Sequence, residues 1–588
     1  MGAFFLYHND AELCLDEVSQ LFEKKGFRAP RRFLFGSWNL WLYRKILAHS
    51  DNYLRDDQGS AIASCGTVVY RGLGYRDSLK RLLSDFRTGN LDQEQLLGSF
   101  CLVFWDGEIV SILMDRSGTF HVFANDVHTC LSSSFLGLLT ASPSPLPLNR
   151  LALCEKMATG YIVSPDTLVE GIEQLDSDVA ATFSYSSSGL QVLSVCARPP
   201  IELHNKGLRE SIACQISRLQ IHFKAMDALH REAHGDLGLS SGYDSRLLVA
   251  CAKYLSTPID LYTHGTQGVH EFEASIARQI ATNRNQKLHQ ISTRRIEDLS
   301  ADDTETLLND ALYFQDGRCA NMGAFSEVHT KSYRLNVAGN NYLSWNGLGG
   351  EMYRNFYFSA NRNVTLRHWM NRHVYYPFAP DAWGCRDDYE SMHRRIIAKV
   401  SRRLGTDVSS QVSFLWLRRY YSEVRMPDCS AIKNDAHNQL SCFHTPFMDA
   451  TLVAEALNAT PYIGYAGSYQ ARLIQHIAPA LAKLQTHYGH PLDHIPYKYR
   501  CTAFIRSLVP NYIHYIKMRR KLRRAETSFL TSYYGFSSQV RMLGEIHDVL
   551  SDVVFRGRFK DAMIHYAQRP TAIFVGSFLR EFHHKIRF

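Results

Sequence analysis

A short turn between an apolar segment and an amphipathic segment carries the residues best suited to chemistry. It lies within the sequence GDLGLSSGYDSRLL, which begins at Gly235. Backbone N–H groups around Gly242, together with the positive end of the helix that follows, would form a concavity that attracts anions. The hydroxyl donors of the turn are Ser240, Ser241 and Ser245. This combination predicts a phosphate-binding site.

Asp244 places a carboxylate in the same turn, where phosphates would bind. A divalent cation resolves this conflict, because Mg²⁺ is commonly held between a carboxylate and phosphate oxygens. The same residues are also compatible with a serine-rich connection in which Asp244 caps the helix. The turn has neither the GxxxxGK[ST] nor the GxGxxG pattern, so neither a P-loop NTPase nor a dinucleotide-binding fold is indicated.

The elements that must position this turn follow from the spacing of apolar residues. Up to about Val195 short apolar runs alternate with turns, as in the hairpin-like segment VAATFSYSSSGLQVLSV, and predict a β-rich layered domain over residues 1–200. Pro199 and Pro200 mark a change of composition. After them, helical spacing of apolar residues predicts a long amphipathic helix that starts near Leu208.

Residues 201–588 form the second predicted domain. Strands and helices alternate from Asp236 to Ser292, which is typical of a doubly wound parallel sheet in an α/β protein. In such sheets ligands bind where strands end and helices begin, which is where the turn lies. The remainder, from about Leu299, reads as a large helical extension.

Composition narrows the functional class. The chain has 588 residues, a formal net charge of +8 and 13 cysteines without a CxxC pair. These features favour a cytoplasmic protein with reduced thiols that binds no nucleic acid and has no membrane span. One basic cluster occurs within eight residues, and its apolar neighbours predict the solvated face of a helix. Its members are Lys517, Arg519, Arg520, Lys521, Arg523 and Arg524.

The turn LSSGYDSRLL resembles the SGGxDS pyrophosphate loop of the ATP pyrophosphatase group, whose members split ATP between its α- and β-phosphates. Within that group, nearly the whole chain resembles the asparagine synthetase family. Five further landmarks appear in the order found in the family. They are LLGSFCLVFWDGEIVSILMDRSGTFHVF at 96–123, LSSSF at 131–135, MATGYIVSPDTLVEGIEQL at 157–175, NGLGGEMYR at 346–354 and TPFMDATLVAEALNATP at 445–461.

The resemblance implies an amidohydrolase-like domain of the N-terminal-nucleophile (Ntn) type, followed by a PP-loop synthetase domain. It also implies an ATP-dependent ligase that adenylates a carboxylate, releases pyrophosphate and passes the acyl group to an amine or ammonia. Mg²⁺ on Asp244 would neutralise the phosphates. Leu239, Thr263 and Gly347 match the backbone positions at which the family holds adenosine.

Three departures from the family pattern affect the expected chemistry. Glutamine-using members carry a nucleophilic cysteine where this chain has Gly2, so glutaminase activity is not expected. The family usually has an acidic pair in its second loop, whereas here Gly350 precedes Glu351, so one carboxylate is left, which would either be a second Mg²⁺ ligand or only hold the loop. A lysine that faces pyrophosphate in the family is replaced near Gln470, and the substitutes are Arg472 and Lys498.

Several functions remain open at this stage. The carboxylate substrate is a small molecule or a peptide, and a homodimer is left open. The alternatives are an asparagine synthetase that uses free or partner-supplied ammonia, and a cyclase of the lasso peptide or β-lactam type. Further alternatives are a tRNA-modifying ATP pyrophosphatase, which would lack the first domain, and a degenerate ATP-binding protein.

Overall fold

The structure is a computed structural model. It describes residues 2–48, 51–175, 190–192, 207–265, 271–293, 299–319, 323–337, 342–359, 362–375, 386–407, 410–524 and 569–588. The strands β1 to β20 are Ala3–His8, Arg31–Phe35, Trp38–Tyr43, Tyr53–Arg55, Ala61–Tyr70, Leu96–Trp105, Val110–Met114, Phe123–Asn125, Cys130–Ser132, Leu146–Pro147, Ile172–Gln174, Leu190–Val192, His234–Gly238, Asp260–Gly265, Leu288–Ser292, Tyr342–Trp345, Val364–Thr365, Gln411–Val412, Cys442–His444 and Ile586–Arg587.

The helices α1 to α19 are Leu15–Lys24, Tyr75–Arg87, Phe135–Ala141, Arg150–Thr159, Leu208–Glu232, Tyr243–Cys251, Glu271–Asn283, Ala301–Phe314, Gly323–Val337, Leu366–His373, Arg386–Leu404, Phe414–Tyr420, Ile432–Leu440, Ala450–Asn458, Ser468–Ile477, Pro479–Ala482, Tyr497–Leu508, Asn511–Arg524 and Arg569–Glu581. A π-helical segment, Tyr421–Ser430, continues α12. None of the helices in these ranges is long and apolar enough to cross a lipid bilayer.

Two largely antiparallel sheets make up the first part of the chain. Their strand orders are β11-β8-β9-β1-β3-β2 and β12-β7-β6-β5-β4. The longest pairing joins β5 to β6 over ten residues, and every residue of β5 is buried. The prediction of a β-rich first region is therefore confirmed. The predicted hairpin over 179–195 lies outside the described residues except for 190–192, which form β12.

A five-stranded parallel sheet forms the centre of the second part, with the order β15-β14-β13-β16-β19. The predicted alternation of strands and helices up to Ser292 is confirmed. The long helix predicted to start near Leu208 is also confirmed as α5, Leu208–Glu232. After β13 the chain adds β14 and β15 on one side and then β16 and β19 on the other. The strand order therefore reverses between β13 and β16, whose carboxyl ends flank this point. Open α/β sheets bind ligands at such a point.

The two parts share one continuous buried core. Polar contacts reinforce it: Asn438 on α13 accepts hydrogen bonds from the Lys45 ammonium at 2.8 Å and the Thr67 hydroxyl at 2.7 Å. Burial lowers the pKa of Lys45 to about 8. The division predicted near residue 200 falls in a segment outside the described residues, and the core extends across both parts.

Candidate functional site

The predicted turn lies between β13 and α6, at the carboxyl end of the central strand. The Leu239 N–H donates to the Tyr262 carbonyl at 2.8 Å, which joins the end of β13 to β14. The Ser245 hydroxyl accepts from the Ser240 N–H at 3.0 Å, and the two hydroxyl oxygens lie 2.9 Å apart. The Gly242 N–H donates to the Ser240 hydroxyl oxygen at 3.2 Å. Two of the serines predicted to bind phosphate therefore also fix the shape of the turn.

The first turn of α6 has no side-chain cap. Its opening N–H groups therefore lack the acceptor that a capping residue provides, which suits an anion-binding helix start. The Ser241 hydroxyl oxygen is buried and has no hydrogen-bond partner among the described residues. An unpaired buried donor beside an uncapped helix start fits a ligand with acceptor oxygens. The alternative in which Asp244 caps this helix is wrong, because its carboxylate faces other partners.

Asp244 is held by two long-range hydrogen bonds. The Arg354 guanidinium donates to Oδ2 at 2.6 Å, and the Gln470 amide donates to Oδ1 at 2.8 Å. About a fifth of the Asp244 side-chain surface remains exposed. The carboxylate is thus oriented by residues more than a hundred positions away and still reaches solvent.

Glu351 lies in the second loop, and the structure brings it next to the same arginine. Its Oε1 atom lies 3.4 Å from the Arg354 Nη2 atom that also binds Asp244. Its Oε2 atom accepts a hydrogen bond of 2.9 Å from the Tyr421 hydroxyl. Burial and the neighbouring Glu351 carboxylate raise the pKa of Tyr421 well above its usual value, so the phenol remains a donor. Asp244 and Glu351, the two predicted metal ligands, therefore both lie next to the Arg354 guanidinium.

Two carboxylates, those of Asp244 and Glu351, face the single guanidinium of Arg354. Burial, followed by the Glu351 charge, raises the pKa of Asp244 to about 7, and Arg354 and the Gln470 hydrogen bond act in the opposite direction. Excess negative charge of this kind favours the arrival of a second cation.

Two glycines allow the second loop to approach α6 closely. A Cβ atom on Gly347 would lie 3.0 Å from the Asp244 carbonyl carbon and the Ser245 nitrogen. A Cβ atom on Gly350 would lie 2.6 Å from the Asp244 Cβ and Oδ1 atoms. A side chain at position 350 would therefore force Asp244 or the second loop to shift.

The three residues predicted to hold adenosine border the turn at different distances. Leu239 directly follows β13 and is buried, and Thr263 is buried on the neighbouring strand β14. Gly347 contacts the backbone of α6 as described above. Thr263 lies on the strand paired with β13, and its role in holding adenosine stays a prediction.

Neither Arg472 nor Lys498, the two cations predicted to face pyrophosphate, is among the described hydrogen-bond and ion-pair partners of Asp244 and Glu351. Arg472 is exposed on α15, while Gln470 two positions earlier is buried and faces Asp244. Lys498 is exposed at the start of α17. It is followed by Tyr499, whose ring lies 5.9 Å from that of Tyr488. The cation that contacts Asp244 in the described structure is instead Arg354.

Arg354, Tyr421 and the inward position of Gln470 were missed as site features by sequence reasoning. Arg354 is the last residue of the NGLGGEMYR motif, three positions after Glu351. This spacing is that of an ion pair within one helical turn and could have indicated it. Tyr421 gives no comparable signal, because its contact depends on how a π-helical segment packs against the loop.

The donor set fits a magnesium ion that arrives with a nucleotide. Mg²⁺ in phosphate-binding sites commonly uses one or two carboxylates and takes its other ligands from phosphates and water. Asp244 and Glu351 offer two carboxylates at the uncapped start of α6. A cluster of three or more His, Cys, Asp or Glu side chains, which would hold a metal without a nucleotide, is absent from the described ranges.

Position 2 has no room for a cysteine side chain. A Cβ atom on Gly2 would lie 2.7 Å from the Arg44 carbonyl oxygen and 2.7 Å from a ring carbon of Phe27. The backbone there is tied to β3, since the Gly2 N–H donates to the Tyr43 carbonyl at 3.3 Å. A cysteine at this position would therefore have to displace backbone or ring atoms.

We expect Gly2→Cys to lower the free energy of unfolding by about 1–3 kcal/mol, because the added atoms must displace backbone or ring atoms. Urea denaturation measures the change. Gly207→Cys is the matched control, since a Cβ atom there meets nothing within 4 Å. Equal stability of the two variants would show that position 2 accommodates a side chain.

Comparison with known proteins gives no family assignment. No protein-family model matches the sequence, and no curated protein matches it. A functional conclusion therefore depends on the residues and geometry described above.

Proposed function

We propose that the protein is an ATP-dependent carbon–nitrogen ligase that activates a carboxylate as its adenylate. One observation carries most of the argument: Asp244 lies in the uncapped first turn of α6, at the strand-order reversal, directly against the loop that carries Glu351. An anion-binding helix start next to two carboxylates suits a nucleotide phosphate chain with its metal.

The reaction has two balanced steps. A carboxylate oxygen of the substrate attacks the α-phosphorus of ATP, and the bond to the β-phosphate oxygen breaks, which yields an acyl-adenylate and pyrophosphate. An amine or ammonia then attacks the acyl carbon, AMP leaves, and the nitrogen loses a proton to solvent. Mg²⁺, when bound by Asp244 and Glu351, would neutralise charge on the phosphates.

The chain's own residues position and stabilise the reacting groups. The backbone N–H groups at the start of α6 and the Ser241 hydroxyl would bind phosphate oxygens, and the Ser240–Ser245 pair keeps the turn in shape. Arg354 would orient Asp244 and offset charge that grows as pyrophosphate leaves. Such preorganised positive groups stabilise the transition state without reorganising.

On the domain level, we propose an amidohydrolase-like Ntn-type region over 1–200 without its nucleophile and a PP-loop synthetase region over 201–588. The nitrogen donor is then an amine of the substrate or ammonia supplied from elsewhere. We further propose that the protein works in the cytoplasm, where ATP and reduced thiols are present.

The products of ATP cleavage test the proposal. Purified protein is incubated with Mg²⁺, α-labelled ATP, a panel of carboxylates and either ammonia or a primary amine. We expect AMP and pyrophosphate in equal amounts with at least one carboxylate. Release of ADP and phosphate would contradict adenylation. A protein that binds no ATP and forms no AMP with any of the carboxylates would also contradict the proposal.

We expect nucleotide affinity in the presence of Mg²⁺ to rise with pH and to level off above about pH 7. The unliganded protein keeps a proton on Asp244 up to about pH 7, because burial and Glu351 raise its pKa to about 7. A metal-binding carboxylate must lose that proton, so binding below pH 7 releases it and weakens as pH falls. Calorimetry at pH 6 in buffers of different ionisation enthalpy measures the release. An Asp244→Asn variant should lose the proton release that comes from Asp244, so that only the release from the ATP phosphates remains.

A further inference from the structure

An open basic pocket lies beside the candidate site. Its volume is about 510 Å³. Its basic lining residues are Arg372, His373, Arg425, Arg506, His514 and Lys517. Three consecutive aromatic residues, Phe356, Tyr357 and Phe358, form the rest of the wall. No acidic side chain is among the described residues that line it.

The aromatic wall connects this pocket to Glu351. The Tyr421 hydroxyl donates to Glu351 at 2.9 Å, and the Tyr421 ring lies 4.9 Å from that of Phe356 and 6.1 Å from that of Tyr357. Phe356 and Tyr357 follow Arg354 closely in the chain. One side of the pocket therefore continues directly into the loop that faces Asp244.

The positive charges of the pocket rest on aromatic and neutral partners. The Arg425 guanidinium lies 5.7 Å from the Phe356 ring centre, and that of Arg506 lies 4.3 Å from the Phe358 ring centre. Arg372 donates to the neutral Asn511 side chain at 2.7 Å. A cavity wall that concentrates one sign of charge in this way attracts ligands of the opposite sign.

The pKa shifts of the pocket residues are those expected for basic groups that are buried close to one another. Burial, followed by Arg506, lowers the pKa of Arg372 to about 10. Burial and four neighbouring basic side chains lower the pKa of His373 well below its usual value. An anion placed between these groups would relieve their mutual repulsion.

Part of the basic helix found in the sequence belongs to this pocket. His514 and Lys517 lie on α18, and α10, which carries Arg372 and His373, packs against that helix. Lys517 and Arg520 are both exposed, but Lys517 lines the pocket and Arg520 does not. The sequence predicted that the basic cluster is the solvated face of a helix. This describes Arg520, whereas Lys517 is exposed and also lines the pocket.

We infer that this pocket binds the acyl substrate of the proposed ligase, and that the substrate is a small acid with at least two anionic groups besides the carboxylate that reacts. The inference rests on the proposed function. The extra groups are carboxylates or phosphates, since both pair with guanidinium groups. The concave shape favours a small molecule over an extended nucleic acid.

The test uses the full chain without nucleotide or Mg²⁺, at 150 mM KCl. Citrate supplies clustered carboxylates, tripolyphosphate supplies clustered phosphates, and acetate is the single-charge comparison. We expect one site per chain for citrate or tripolyphosphate, and the tighter of the two identifies the anionic group. Arg506→Gln and Lys517→Gln should each weaken that binding about fivefold or more, as expected for loss of a charge-assisted contact.

Two matched controls separate the pocket from general charge attraction. Arg500→Gln changes an equally exposed arginine of α17, and Arg520→Gln changes an exposed arginine of α18, but neither residue lines the pocket. Both controls should change affinity less than about twofold. Equal losses in controls and pocket variants would overturn the inference, as would binding of the polyanions no tighter than acetate. Tighter binding of a single-stranded oligonucleotide, lost in the same pocket variants, would assign the pocket to nucleic acid instead.

Magnesium-dependent ATP binding is measured on the same proteins so that the two proposals can fail separately. ATP binding without polyanion binding would contradict the pocket assignment alone. Polyanion binding at this pocket without any ATP binding would contradict the ligase proposal and with it the role of the anion as a substrate.

Discussion

Replacing Asp244 with alanine is expected to remove the magnesium-dependent part of ATP affinity, with a loss of about 100-fold or more. The carboxylate is the group that the turn presents at the start of α6, and Arg354 and Gln470 orient it. Without it, Arg354 loses its closest anionic partner and the metal loses one of two carboxylates. Anisotropy of a fluorescent ATP analogue, titrated with and without Mg²⁺, measures the change.

Two variants control for unrelated effects of this substitution. Asp244→Asn keeps an oxygen for Gln470 but removes the charge, so it should lose the same magnesium dependence. Asp227→Ala removes a similarly buried aspartate, whose side chain is 18% exposed and which binds the Ser256 N–H. It should leave nucleotide affinity unchanged. If Asp244→Asn retained full magnesium dependence, the metal-binding role of Asp244 would be wrong.

Gly350→Ala is expected to weaken magnesium-dependent ATP binding about tenfold or more, in the range seen when the support of a metal ligand is disturbed. The added methyl would lie 2.6 Å from the Asp244 Cβ and Oδ1 atoms, so either the carboxylate or the second loop must move. The same overpacking is expected to lower the free energy of unfolding by about 1–3 kcal/mol. Nucleotide titration and urea denaturation report the two effects.

Gly207→Ala is the matched control for Gly350→Ala, because a Cβ atom at position 207 meets nothing within 4 Å. It should leave affinity unchanged. A Gly350→Ala protein with normal affinity would show that the close contact between the second loop and Asp244 is not required for binding.

The sequence was sufficient for those parts of the fold that depend on local spacing. Apolar periodicity located α5, and the alternation of strands and helices located β13, α6 and their neighbours in a parallel sheet. The turn could be singled out because its serines, glycine and aspartate are contiguous. Each of these signals comes from residues that are close together in the chain.

The partners of Asp244 could not be obtained in this way. Arg354 is 110 residues away and Gln470 is 226 residues away, and both arrive through packing of distant elements. Arg472 was chosen by residue type, but two positions along a helix correspond to a rotation of about 200°, so it lies on the face opposite Gln470. Which of the two faces the site depends on how α15 docks against α6.

The basic pocket could not be predicted from the sequence either, because its residues come from distant parts of the chain. Its cations come from α10, the π-helical segment, α17 and α18. The sequence displayed the charges of α18 as a run, and a run is most simply explained as a solvated helix face. Packing of α18 against α10 is a long-range property, and it places Lys517 in the wall of the same pocket as Arg372.

The central claim is that the turn after β13 and Asp244 hold the phosphates of a nucleotide through main-chain N–H groups and a metal. Calorimetric titration of the unmodified protein with ATP, in Mg²⁺ and then in EDTA at pH 8, tests it most directly. We predict binding of one ATP per chain in Mg²⁺, much weaker binding in EDTA, and weaker binding of AMP than of ATP. No heat of binding in either condition, or equal affinity for ATP with and without Mg²⁺, would contradict the claim.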